Sequence, residues 1–92
     1  MKNIVRILLS RRERELLQLK DWMERNNYRG FDRLWWKDYG AQLVDIYVGE
    51  TVVQTVRCSE VTGTFKLYYR DSDREFTPGS LKGVITGHRL RG

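Results

Sequence analysis

Three observations predict an α+β fold in which an N-terminal helix packs on a four- or five-stranded antiparallel meander sheet. Apolar residues recur at helical spacing through the first 26 positions and at every second position from residue 42 onward. The period changes inside an aromatic stretch, FDRLWWKDYG at 31–40. The chain has 92 residues, 40% of them hydrophobic, which suits one core and one domain spanning 1–92.

The helix comes first. Ile4, Val5, Leu8, Leu9, Leu16, Leu19, Trp22 and Met23 share one side of a helical projection, and one helix over about 4–26 is the preferred reading. A competing start lies at Ser10, which with Glu13 has capping-box spacing; the helix then covers 11–26 and residues 3–9 form a strand or a separate segment. Asn26-Asn27 and Gly30 end the helix under either reading. On the opposite side, Arg11, Arg14, Gln18, Asp21 and Arg25 align at spacings of three and four. That stripe reads either as an ordinary solvated face or as a grip for phosphate or carboxylate groups.

An aromatic joint over 28–41 leads to the sheet, expected over about 42–87. QLVDIYV (42–48) sets Val44, Ile46 and Val48 against Leu43, Asp45 and Tyr47. Gly49-Glu50 turns the chain and TVVQTVRC (51–58) returns beside it. SEVTG (59–63) reads as a loop. TFKLYYR (64–70) alternates Phe65, Leu67 and Tyr69 with Lys66, Tyr68 and Arg70. DSD (71–73) is a turn, REFT (74–77) a short returning strand and LKGVITG (81–87) a last strand, with a basic, frayed tail after it.

The formal net charge is +5, with twelve Arg and five Lys among the 17 basic residues. Residues 1–37 are net +5, residues 38–69 net −2 and residues 70–92 net +2, so the positive field lies at the two ends and not in the middle. Arginine offers a planar fork that matches phosphate and carboxylate and stacks on flat rings, so an acidic partner is expected. One cysteine excludes an intrachain disulfide and a cysteine-based zinc cluster. No apolar run reaches the ~18 residues of a membrane span, and no secretory signal is read at the start, so a cytoplasmic location and no membrane partner are expected.

Catalytic chemistry finds little to work with. The single histidine, His88, and Cys58 lie in no nucleophile motif, and Cys58 reads as a small buried filler. The carboxylates of Asp71, Asp73 and Glu75 sit in ordinary turn composition beside Arg74, and the glycines at 79, 83 and 87 form no phosphate loop. No enzyme activity, metal or cofactor is expected.

Binding chemistry finds more. Single-stranded nucleic acids are held by basic surfaces with interleaved aromatic rings. Arg29, Phe31, Arg33, Trp35, Trp36 and Lys37 make one such pattern; Lys66, Tyr68 and Arg70, on one strand face, make another. Each also has a plain reading as half-wet surface. Adjacent tryptophans diverge in most backbones, so one of Trp35 and Trp36 is expected under the helix and the other exposed as an interface anchor.

The stretch VDIYVGETVVQTVRCSEVTG (44–63) resembles a pattern in short bacteriophage-encoded proteins: a V-D-V-Y-like strand, a Gly turn, a V-x-x-V strand and a Gly-containing loop. Tyr68-Tyr69-Arg70 with Arg74 through Pro78 is similar to the small barrel of WYL-type ligand-sensing domains, but the chain is shorter than that domain, which places this likeness second. The phage likeness implies an accessory or host-takeover protein that docks on a host protein or ribonucleoprotein complex. Its best specific instance is an anti-CRISPR inhibitor, pressing Arg11, Arg14, Arg25, Arg33 and Lys37 on the guide RNA or acidic patches of a CRISPR surveillance complex, with Trp35 or Trp36 as anchor. The alternative expectation is a free-standing RNA- or DNA-binding regulatory module.

Overall fold

The computed structural model describes residues 10–91. Helix α1 spans Arg11–Arg25, and its start settles the choice left open above. The Glu13 backbone N–H donates to Ser10 Oγ at 3.1 Å, and the Ser10 N–H donates to Glu13 Oε1 at 3.4 Å. Ser10 itself is extended, with φ −69° and ψ 163°. A helix running unbroken from residue 4 is therefore overturned: the capping box satisfies otherwise orphaned amide groups and fixes the start. The strand reading of residues 3–9 lies outside the described residues. At the other end Asn27 takes φ 71°, and the Tyr28 N–H turns back to the Met23 carbonyl at 2.9 Å.

Four strands follow: β1 Arg33–Asp38, β2 Leu43–Val48, β3 Thr51–Val61 and β4 Thr64–Tyr69. They form one antiparallel sheet in chain order, β1-β2-β3-β4. The expected meander is present, but its limits shift at both ends. The stretch read as a joint contains β1, which pairs Arg33 with Tyr47 and Trp35 with Asp45. Two adjacent tryptophans disguise its period of two, because both look apolar while pointing to opposite faces. β3 runs through Val61, three residues beyond the expected strand, to a tight turn at Thr62 and Gly63 with φ 51° and 78°.

The C-terminal reading needs correction. REFT makes no strand; it contributes one isolated bridge, Tyr68 to Glu75, and the Phe76 N–H donates to the Leu67 carbonyl at 2.7 Å. The segment expected as a last strand lies inside helix α2, Pro78–Arg91, so the sheet ends at Tyr69 and the tail is helical through Arg91. Thr77 Oγ1 accepts from the Ser80 N–H at 3.2 Å, and Pro78 sits where a missing N–H costs nothing. Leu81, Val84, Ile85 and His88 then follow helical spacing.

Both helices press on one face of the sheet. Leu16, Leu19 and Met23 of α1 and Leu81 and Ile85 of α2 share a core with Leu34, Val44, Ile46, Val56, Cys58 and Leu67. Tyr28 and Phe76 close it, the Tyr28 hydroxyl donating to the Phe76 carbonyl at 2.8 Å. Burial pushes the Tyr28 hydroxyl up to about 12, with help from the nearby Glu75 charge. Burial, and then Glu60, pushes the Cys58 thiol from 9.0 to about 12. Cys58 is thus the buried filler its position suggested, held in the unreactive thiol form.

Candidate functional site

Side chains on a strand alternate between faces, so a core on one face dictates a second set on the other. On β1 that set includes Arg33 and Trp35; on β2 it is Leu43, Asp45 and Tyr47. On β3 it includes Thr55 and Arg57, and on β4 Lys66 and Tyr68. Register places Arg33 beside Tyr47, Trp35 beside Asp45, Asp45 beside Thr55, and Arg57 beside both Leu43 and Tyr68. Neither helix covers this outer face. Trp35 is 50% exposed there.

The geometry is specific. The Arg33 guanidinium lies 3.7 Å over the Tyr47 ring, and that of Arg57 lies 4.8 Å over Tyr68. Stacking holds each guanidinium flat, with its N–H edge turned outward to meet an acceptor. Arg57 also reaches Ser72 O at 3.0 Å and Asp73 at 3.2 Å, which anchors it to the turn after β4. Arg33 lies 4.0 Å from the exposed Glu50, a contact too wet to hold it firmly. At the centre, Asp45 accepts from the Thr55 hydroxyl. Lys37, exposed, occupies the bulge where β1 loses register between Trp36 and Asp38.

The structure brings together some predicted residues and separates others. Arg33, Trp35, Lys66 and Tyr68 share the outer face, with Lys37 at its rim. Trp36 is the inward member of the pair: its Nε1 donates to the Arg12 carbonyl at 3.0 Å, and its ring meets Tyr39 edge-on at 4.9 Å. It locks helix to sheet and is removed from the set of contact residues. Arg11, Arg14 and Arg25 line the solvent side of α1, across the core from the outer sheet face. Arg11 pairs with Glu15 at 3.2 Å and Arg25 with Asp21 at 2.9 Å, so the stripe carries largely self-paired charge. One small ligand cannot touch both surfaces.

Arg29 belongs to a third place, a cavity of about 500 Å³ between the loop after α1 and helix α2, which Lys82 and Arg89 also line. Arg70 lies just past β4, 3.9 Å from Asp71, and so does not continue the Lys66–Tyr68 row. Sequence reasoning missed Tyr47, Arg57, Asp45 and Thr55 as site residues. Their parity was legible, but their neighbours depend on register with a strand hidden in the aromatic stretch.

Among the described residues no group of three potential metal ligands converges, and no helix is long and apolar enough to cross a membrane. Cys58 and His88 line different cavities. What the outer face offers is flat aromatic area flanked by fixed cations. No family model, curated protein or solved structure matches the chain.

Proposed function

We propose that the chain is a small non-enzymatic binding protein that docks on a nucleoprotein complex of a host cell, using the uncovered sheet face to meet its nucleic-acid strand. One observation carries this reading: Trp35, Tyr47 and Tyr68 stand on the sheet face that neither α1 nor α2 covers, two of them beneath arginines. Bases stack on the bare Trp35 ring and on the guanidinium planes over the two tyrosines whatever their identity, and cations at the margins hold the phosphates between them. Helices on one side of an antiparallel sheet with aromatic rings on the other is an arrangement suited to single strands, whose bases are free to splay. The likeness of residues 44–63 to phage-encoded proteins supports an anti-CRISPR inhibitor as the specific instance, with a surveillance complex and its guide RNA as the target.

A second reading, a free-standing RNA- or DNA-binding regulatory module, is favoured by the same face, because a bare strand needs nothing further. Fluorescence anisotropy with labelled 12-nucleotide single strands and duplexes, at 50 and 200 mM salt, separates the two. Three or four phosphate contacts weaken single-strand binding roughly twentyfold to fiftyfold over that range. Binding of bare strands with that salt response supports the free-standing module. Inhibition of target cleavage by a surveillance complex, lost in Trp35→Ala, supports the docking reading. If Trp35→Ala changes neither, the sheet face is not the grip.

A further inference from the structure

We propose that Asp45 makes this face a reader of bases, with a preference for guanine in single-stranded RNA. The inference rests on the sheet face meeting a single strand. A carboxylate at the centre of a surface built for phosphates works against that surface, since like charges repel. Asp45 stands there nonetheless, opposite Trp35 on β1 and Thr55 on β3, with Tyr47 next on its own strand face. The cations Arg33 and Arg57 occupy the diagonal positions on either side, with Lys66 further out on β4, and none of them comes within 4.0 Å of Asp45 among the described residues. The phosphate path therefore runs along the margins, and what reaches Asp45 is the edge of a base stacked on Trp35, since Arg33 already covers the Tyr47 ring. Directly paired residues on one face stand about 5 Å apart, within reach of that edge.

The carboxylate is also aimed. Thr55 donates its hydroxyl to Oδ1 from the neighbouring strand, which holds the side chain while Oδ2 and a second lone pair on Oδ1 can still accept. Fixed acceptors select among bases by their donors. Guanine presents N1–H and an N2 amino group side by side, a fork that matches two carboxylate oxygens as a guanidinium does. Cytosine and adenine present one amino group each. Uracil presents N3–H between two carbonyl oxygens, which a carboxylate repels. The order expected is guanine first, cytosine and adenine next, uracil last.

The test uses the full chain and two fluorescein-labelled RNAs, (UG)6 and U12, at low salt. The wild type is expected to bind (UG)6 roughly tenfold more tightly, the scale of one good bidentate base contact. Asp45→Asn, with its fold checked by thermal melting, is expected to bring the two affinities together while U12 binding holds or improves. Thr55→Val keeps the charge and removes the hydroxyl that aims it, so its ratio is expected to fall between. Equal wild-type affinities, or an Asp45→Asn ratio as large as the wild type's, overturn the inference and leave the stacking face standing. Failure of the wild type to bind either RNA removes the platform itself and the inference with it.

Discussion

The two faces of the sheet come from the same strands and differ in every property that matters. On the inner face Val44, Ile46, Val56 and Leu67 are wholly buried. One residue along on each strand, Asp45, Tyr47, Arg57 and Tyr68 meet solvent. A single set of backbone hydrogen bonds thus carries two programmes. The inner set answers to the hydrophobic effect and sets stability; the outer set is free of that duty, and its composition records another demand. The contrast teaches that exposed aromatic area, costly to leave in water, is the outer face's most informative feature.

The largest expected difference lies between neighbours on β2. Ile46→Ala leaves a cavity under α1 and α2 and is expected to cost about 2–5 kcal/mol by denaturant titration. Tyr47→Ala removes only a half-exposed ring and its stack with Arg33, and is expected to cost under about 1 kcal/mol. Equal losses would mean that the outer face is structural after all.

The tryptophans repeat the comparison on β1. Trp36→Ala loses packing under α1 and the indole hydrogen bond to the Arg12 carbonyl, so a cost of about 1–3 kcal/mol is expected. Trp35→Ala is expected to leave the melting temperature nearly unchanged while weakening single-strand binding about tenfold, the scale of one stacked base.

The inner face also has a pH signature. The Cys58 and Tyr28 protons are held to about 12 in the folded state and leave the unfolded chain near 9.0 and 10.0. Their contribution is therefore complete below pH 9 and is lost as pH rises from about 9 to about 12. Denaturation midpoints at pH 8, 10 and 11 check this decline. Cys58→Ala is expected to move its onset upward toward 10.

The smallest effect belongs to the α1 stripe. Arg14→Glu, four residues into the helix, is expected to leave stability within about 0.5 kcal/mol, any gain coming from an acid near the positive helix end. Binding of single strands should hold within about twofold. A large loss would return the stripe to the interface and break the division between the faces.

Much of this was legible in the sequence where one local pattern dominated. Ser10 and Glu13 offered the cap as a competing start, against a longer apolar stripe that drew the preferred start to residue 4, and period-two alternation marked β2, β3 and β4. β1 was hidden because Trp35 and Trp36 blur their own alternation. α2 was hidden because Gly83 and Gly87 depress helical propensity by about 1 kcal/mol each, and burial of Leu81 and Ile85 outweighs them. The outer face was half legible: parity gave Lys66 and Tyr68, while the stacks of Arg33 on Tyr47 and Arg57 on Tyr68 required cross-strand register. A sequence shows which residues share a face long before it shows which ones touch.

The Tyr28–Phe76 contact has a kinetic consequence. The β2–β3 and β3–β4 hairpins close across two residues each, Gly49-Glu50 and Thr62-Gly63, where chain entropy resists least. Tyr28 and Phe76 are 48 positions apart, and their hydrogen bond joins the segment after the first helix to the one before the last. Such a contact is expected to form after the hairpins have zipped and to act as a latch on a structure already assembled. Weakening it with Tyr28→Phe is then expected to speed unfolding in stopped-flow while leaving the folding rate almost untouched.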